Sequence, residues 1–139
     1  MEINFLALLV AALSTLVVGF IWYGVLFGKK WEVVVGVTEE QKKMPRGGKT
    51  MMAIHGTNLL LSVVLYVALS IIIGSFDAIN AVQAMWVAIL VWLGVIVPMQ
   101  GQMALYSNKT KHLGWSMFLI NISYQLILSI IAGLLIGVW

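Results

Sequence analysis

Residues 114–138 read GWSMFLINISYQLILSIIAGLLIGV, a stretch that contains no formally charged side chain. A helix needs about 20 consecutive apolar residues to cross the hydrocarbon core of a bilayer, so this stretch is long enough. Three similar stretches precede it, and four transmembrane helices are predicted: Ile3–Phe27, Met51–Gly74, Ala81–Leu105 and Gly114–Val138. They take up most of the chain, so residues 1–139 are predicted to form a single all-α domain, an integral membrane bundle of four transmembrane helices.

The composition supports the membrane interpretation. Hydrophobic residues make up 62% of the 139 residues and charged residues only 9%, against about 45–50% and about 25% in soluble domains. A soluble domain of this size could not bury so much apolar surface, and disorder requires low hydrophobicity with high charge. The sequence contains no cysteine, which excludes disulfides, zinc–thiolate sites and cysteine catalysis.

The positions of the cations predict the orientation. All 8 Lys and Arg residues fall in the first and third loops, 28–50 and 106–113, whereas the short second loop, 75–80, carries Asp77 and no cation. Cytoplasmic loops of membrane proteins are enriched in Lys and Arg. We therefore expect both basic loops in the cytoplasm, the short hairpin loop outside and both termini outside, in the cell membrane. The net charge of +3 is read as an orientation signal and not as a sign of a nucleic-acid partner.

The first loop contains a signal for local structure. Thr38 and Gln41 have the spacing of a capping box, and Glu39 and Glu40 suit the first turn of a helix. One interpretation is a short surface helix over Glu39–Met44 that Pro45 ends. A disordered linker is the alternative, and the sequence leaves both open.

Residues that carry chemistry are sparse. The two histidines, His55 and His112, have no acidic companions nearby, and all acidic residues lie outside the predicted spans. Proton-coupled transporters usually need an ionisable group at membrane depth, so a drug/proton antiporter is not predicted. We expect no metal site, no cofactor and no enzymatic activity.

Small and polar residues recur every fourth position in two spans, which places them on one face of each helix. Small residues allow close approach of another helix, so these faces are interpreted as helix-packing or oligomer interfaces. Four spans are few for a transporter, and we expect a homo-oligomer that Gly133→Leu would dissociate. Pro98 is expected to kink the third span. The residues of the two faces are Ala7, Ala11, Thr15 and Gly19, and Ser129, Gly133 and Gly137.

Strongly hydrogen-bonding side chains gather in the cytoplasmic third of the predicted spans, and we call this set the polar layer. Its candidate binding residues are His55, Asn58, Gln100, Asn121 and Gln125. Trp22 and Tyr23 lie at the same level and are interpreted as aromatic residues at the membrane interface. Two interpretations of the layer stay open. It binds or passes a small solute or a lipid, or it only holds the helices together in a structural or accessory protein.

Several blocks of the sequence resemble a known family. Residues 22–29, WYGVLFGK, followed by Trp31 and residues 36–40, GVTEE, are similar to the opening signature of the domain-of-unknown-function 1761 family of small bacterial and fungal membrane proteins. Residues 92–94 and 120–124 resemble its later blocks. Members commonly carry aspartate where this chain has Asn121, which weakens any proton-relay role here. The resemblance implies the membrane fold, and it implies no activity because the family name states none.

Overall fold

The computed structural model describes residues 4–44, 47–78 and 80–139, and in these ranges all regular secondary structure is helical. Four helical stretches are long and apolar enough to cross a membrane: Phe5–Leu26, Gly48–Ser75, Ala81–Leu105 and Lys111–Val138. The predicted all-α architecture with four spans is confirmed. Ile3, the predicted start of the first span, and Pro45, the predicted end of the surface helix, lie outside the described residues.

Two of the spans begin before their apolar stretch. The second span starts at Gly48 rather than Met51, and the fourth starts at Lys111 rather than Gly114. Helical hydrogen bonding can continue beyond the hydrocarbon into water, so hydropathy alone does not fix where a helix begins. The third span has the bounds that the sequence predicts.

Two spans are single α-helices and two contain a π-helical segment. The regular elements, in chain order, are α1 (Phe5–Phe20), a first π segment (Ile21–Leu26), α2 (Gly28–Val35), α3 (Glu39–Lys43), α4 (Gly48–Ser75), α5 (Ala81–Val91), a second π segment (Trp92–Ile96), α6 (Val97–Leu105) and α7 (Lys111–Val138). In a π segment a backbone N–H donates to the carbonyl five residues earlier. The Phe27 N–H donates in this way to the Trp22 carbonyl oxygen at 2.9 Å, and the Val97 N–H donates to the Trp92 carbonyl oxygen.

The second π segment explains how the third span accommodates Pro98. Proline has no N–H to donate, and its ring crowds the carbonyl four residues earlier. The π segment ends immediately before α6, so Pro98 falls in the first turn of that helix. The π segment interrupts the regular hydrogen-bond ladder just before Pro98, since the Val97 N–H bonds to the Trp92 carbonyl oxygen five residues earlier, so the missing N–H falls where the ladder is already irregular. The structure therefore has a local widening of the helix over the five residues of the π segment, and the kink expected at Pro98 stays a prediction.

The first loop contains two helices. The short helix suggested by the capping-box spacing is present as α3, with Gln41 N–H donating to Thr38 Oγ1 at 3.2 Å and Thr38 N–H donating to Gln41 Oε1 at 2.9 Å. The Lys42 ammonium lies 2.9 Å from a carboxylate oxygen of Glu32 on α2 and 3.0 Å from one of Glu39. Hydrogen bonds to these two carboxylates raise the pKa of Lys42, and the bond to Glu32 joins α3 to α2.

The other loop helix, α2, was missed by the sequence reasoning. It follows the first span almost directly, packs against α7 and ends at Gly36, which adopts the left-handed conformation with φ 74°. Val34 on its inner face is only 1% exposed. One buried valine in a basic stretch gives too weak a hydrophobic pattern to predict a helix, so its existence depends on the neighbouring α7.

The fourth span is the centre of the bundle. Helix α7 contacts α1, α2, α5 and α6, whereas α4 packs mainly on α1 and α5 and touches α7 only slightly. The closest approach is between α7 and α5, where a Cβ atom added at Gly133 would lie 2.6 Å from Met85 Cα and one at Gly137 would lie 2.6 Å from Ala81 Cα. These two glycines therefore bring two helix backbones together.

This packing changes the expectation for Gly133. The face formed by Ser129, Gly133 and Gly137 is covered by α5 of the same chain, so Gly133→Leu would separate α5 from α7 within one molecule before it could affect an oligomer. On the first span Ala7, Ala11 and Thr15 are buried and Gly19 faces the Tyr124 ring. These residues also contribute to contacts inside the bundle.

We predict that Gly133→Ala destabilises the bundle by about 1–3 kcal/mol, because even a methyl group overpacks the contact with α5. The measurement is the thermal unfolding midpoint in detergent micelles. Gly56→Ala is the matched control, since a Cβ atom there meets no other atom within 4 Å, and it should raise the midpoint slightly through helix propensity. Equal midpoints for the two variants would contradict the packing described here.

Candidate functional site

One amide side chain connects three of the four spans. The Tyr23 hydroxyl at the end of the first span donates to Asn121 Oδ1 at 2.8 Å. Asn121 Nδ2 donates to Gln100 Oε1 of α6 at 3.4 Å. In hydrocarbon such polar groups need partners from the protein itself, and Asn121 finds one on each side of α7.

Two tryptophans bind the backbone of α7 on either side of Asn121. Trp22 Nε1 donates to the Ile120 carbonyl oxygen at 3.1 Å, and Trp92 Nε1 donates to the Ile122 carbonyl oxygen at 2.9 Å. A carbonyl oxygen has two lone pairs, so it can accept an indole N–H in addition to its helical bond. We call Trp22, Tyr23, Trp92, Gln100 and Asn121 the Asn121 cluster. It holds the first and third spans to the same turn of the fourth.

The two tryptophans share a local sequence, and the sequence reasoning did not compare the two copies with each other. Residues 22–26 read WYGVL and residues 92–96 read WLGVI. Each pentapeptide lies within a π segment, and each tryptophan both accepts the π-helical hydrogen bond and donates its indole N–H to α7. The repeat was the available signal for this arrangement, whereas the interpretation of Trp22 and Tyr23 as interface residues did not anticipate their partners.

A second polar group lies where α4 separates from the rest of the bundle. The Tyr124 hydroxyl donates to the Thr15 carbonyl oxygen at 3.0 Å, and Asn58 Nδ2 donates to Thr15 Oγ1 at 3.4 Å. Beside them is a groove of about 700 Å³ at the end of the bundle that bears the first loop. Its lining residues are Thr15, Leu16, Gly19, Phe20, Tyr23, Gly24, Trp31, Met51, Ile54, His55, Asn58 and Tyr124.

The groove has two chemically different walls. Phe20, Tyr23 and Trp31 form an aromatic wall, with the Tyr23 ring centroid 4.6 Å from that of Trp31 and 4.9 Å from that of Tyr124. The wall formed by α4 carries His55 and Asn58. No lining residue carries a formal charge, and the described residues contain no group of three or more His, Asp or Glu that could hold a metal ion. The groove can offer hydrogen bonds and ring stacking.

The structure divides the predicted polar layer into two parts. Gln100 and Asn121 meet in the Asn121 cluster, between helices. His55 and Asn58 line the groove and are exposed. Gln125 lies deeper, in an adjoining cavity of about 160 Å³ that also contacts Asn58 and Tyr124. The five residues therefore do not form one continuous layer.

Comparison with known proteins gives one match. A family model described as a protein of unknown function, DUF1761, matches residues 6–137. The chain belongs to this family. No curated protein and no solved structure matches it. The match extends over all four spans and both tryptophan blocks, and it confirms the resemblance seen in the sequence. The function of this DUF1761 protein has to be argued from its own geometry.

We predict that Tyr23→Phe lowers the stability of this DUF1761 protein by about 1 kcal/mol, because Asn121 Oδ1 then loses its donor inside the bundle. The thermal midpoint in detergent micelles measures the effect. Tyr106→Phe makes the same chemical change at a side chain that is 88% exposed and should leave the midpoint unchanged. The same small shift in both variants would argue against a stabilising role for the Asn121 cluster.

Proposed function

We propose that this DUF1761 protein is a binding protein of the cell membrane that takes a small solute into the groove between α1 and α4. The observation that carries the proposal is the groove itself, about 700 Å³ in volume. Ligand sites are commonly clefts of about 300–1,000 Å³ with mostly apolar walls and a few placed polar groups. His55 and Asn58 supply such polar groups on one wall, opposite the aromatic rings of the other.

The exposure of His55 favours binding over a purely structural role for this part of the polar layer, whereas Asn58 both lines the groove and donates to Thr15 on α1. Polar side chains that hold membrane helices together lie between the helices and bond across them. Asn121 and Gln100 do this, and they favour a second candidate function in which the protein is a structural or accessory component. His55 forms no hydrogen bond with another described residue, and its helix is exposed continuously over residues 52–58.

We further propose that the groove opens to the cytoplasm. The support is the charge distribution, since all 8 Lys and Arg residues lie in loops 28–50 and 106–113, as in cytoplasmic loops. The groove lies between the end of the first span and the start of the second, next to the first of these loops. In this orientation both termini are outside.

We also propose that the protein forms a homo-oligomer. Four spans provide a narrow bundle, and α4 leaves Thr57 exposed within an apolar span. A polar side chain at membrane depth is better placed against protein than against lipid. A second copy would supply that cover, and cross-linking in native membranes tests for it. If no cross-linked species forms, lipid rather than a second copy surrounds this face of α4.

The chain has no cysteine, so single cysteines can report on access to the groove. We predict that Ile54→Cys reacts with a membrane-impermeant thiosulfonate added to inside-out vesicles, whereas Gly56→Cys reacts about tenfold more slowly or not at all. Ile54 lines the groove, and a side chain at position 56 points into open space outside the bundle. A thiol in lipid does not form the reactive thiolate readily. Equally slow labelling at both positions would contradict a solvated groove.

The orientation is tested with the same chemistry. We predict that Ser75→Cys, in the short hairpin region, is labelled by the impermeant reagent added to intact cells, whereas Asn108→Cys is labelled only in inside-out vesicles. Both residues are exposed at opposite ends of the bundle. The reverse pattern would place the termini in the cytoplasm and the groove on the outer side.

A further inference from the structure

The charge of the groove limits what it can bind. None of its lining residues is Asp, Glu, Lys or Arg. An ion moved from water into such a site loses hydration and gains no counter-charge, whereas a neutral molecule pays no such penalty. The groove therefore discriminates against charged ligands.

The position of the groove sets how a ligand reaches it. Its rim includes Phe20 on α1, which is 73% exposed, and Ile54 on α4, which is 55% exposed. Both lie within membrane spans, so the groove opens sideways toward the lipid as well as toward the first loop. A ligand that dissolves in the bilayer can enter with an apolar tail lying along Phe20.

The two walls set the shape and polarity of the part that binds. Tyr23 and Trp31 present aromatic rings at a centroid separation of 4.6 Å, and aromatic surfaces favour a planar ring as a neighbour. Across from them, His55 offers a ring N–H, and Asn58 has a second amide N–H beyond the one that it directs to Thr15. The two lie almost one turn apart on the groove side of α4 and can donate to acceptors on one ligand.

We infer that the groove binds a neutral, lipid-soluble molecule whose planar ring carries hydrogen-bond acceptors, the chemistry of a quinone headgroup. The ring lies against Tyr23 and Trp31, its carbonyl oxygens accept from His55 and Asn58, and its tail extends past Phe20 toward the lipid. This inference rests on the proposed function of the same groove and names its ligand class.

The test uses the full chain in nanodiscs and titrates it with decylubiquinone while tryptophan fluorescence is recorded. We expect saturable quenching that Trp31→Leu largely removes. Trp86→Leu, at a tryptophan that is 57% exposed and outside the groove, should retain it. Asn58→Leu and His55→Leu should each weaken the apparent Kd by about tenfold, the value of one hydrogen bond. His55→Leu should leave the thermal midpoint unchanged, whereas Asn58→Leu also removes the bond to Thr15 and should lower the midpoint slightly. Gln102→Leu, an exposed amide elsewhere in the bundle, should not change the Kd.

Two ions of similar size and opposite charge, tetraphenylphosphonium and tetraphenylborate, complete the experiment, and neither should give saturable quenching. If either ion saturates and Asn58→Leu abolishes its binding, the inferred ligand class is wrong while the groove is still a binding site. If decylubiquinone gives no saturable quenching although Ile54→Cys is labelled from the cytoplasmic side, the inferred class is also wrong. If no probe binds and Ile54→Cys is not labelled, the inference and the proposed function both fail.

Discussion

Polar groups between membrane helices need hydrogen-bond partners from the protein itself, and the polar groups around Asn121 find theirs on neighbouring helices. Asn121 meets this requirement through Tyr23 and Gln100, and the indole N–H groups of Trp22 and Trp92 are paired with backbone oxygens of the same turn of α7. The first and third spans are consequently fixed to the fourth at one level. The arrangement makes α7 the central helix of the bundle.

The π segments belong to the same arrangement. A π-helical turn widens the helix and shifts the side chains that follow it around the axis, and both segments contain the tryptophan that reaches α7. In the third span the widening also accommodates Pro98. Glycine occupies the third position of each WxGV block, at residues 24 and 94. The cost of two irregular turns is offset by hydrogen bonds that a regular helix would not direct to the same place.

The groove lies beside α4, the span that takes no part in the Asn121 cluster. Helix α4 has no residue in the Asn121 cluster and is held through α1 and α5. Beside its first half the groove lies between α4 and α1, and His55 and Asn58 line it together with apolar and aromatic side chains. Gln100 and Asn121 of the predicted polar layer bond to each other between helices, whereas His55 and Asn58 line the groove. That division is the basis of the proposed function.

The sequence by itself determined the four spans, their approximate bounds and the family, because length, hydropathy and local motifs are properties of continuous segments. It offered α3 as one of two interpretations, because its capping box is formed by neighbouring residues, and it placed the glycines of α7 on one face without showing that α5 covers them. Only the tertiary structure decided which polar residues meet. Asn121 binds Tyr23, 98 positions away, and Asn58 faces a groove. Both outcomes depend on how each helix is rotated and how far apart the helices lie. These quantities are set by contacts among all four spans, and no single segment of the sequence contains those contacts.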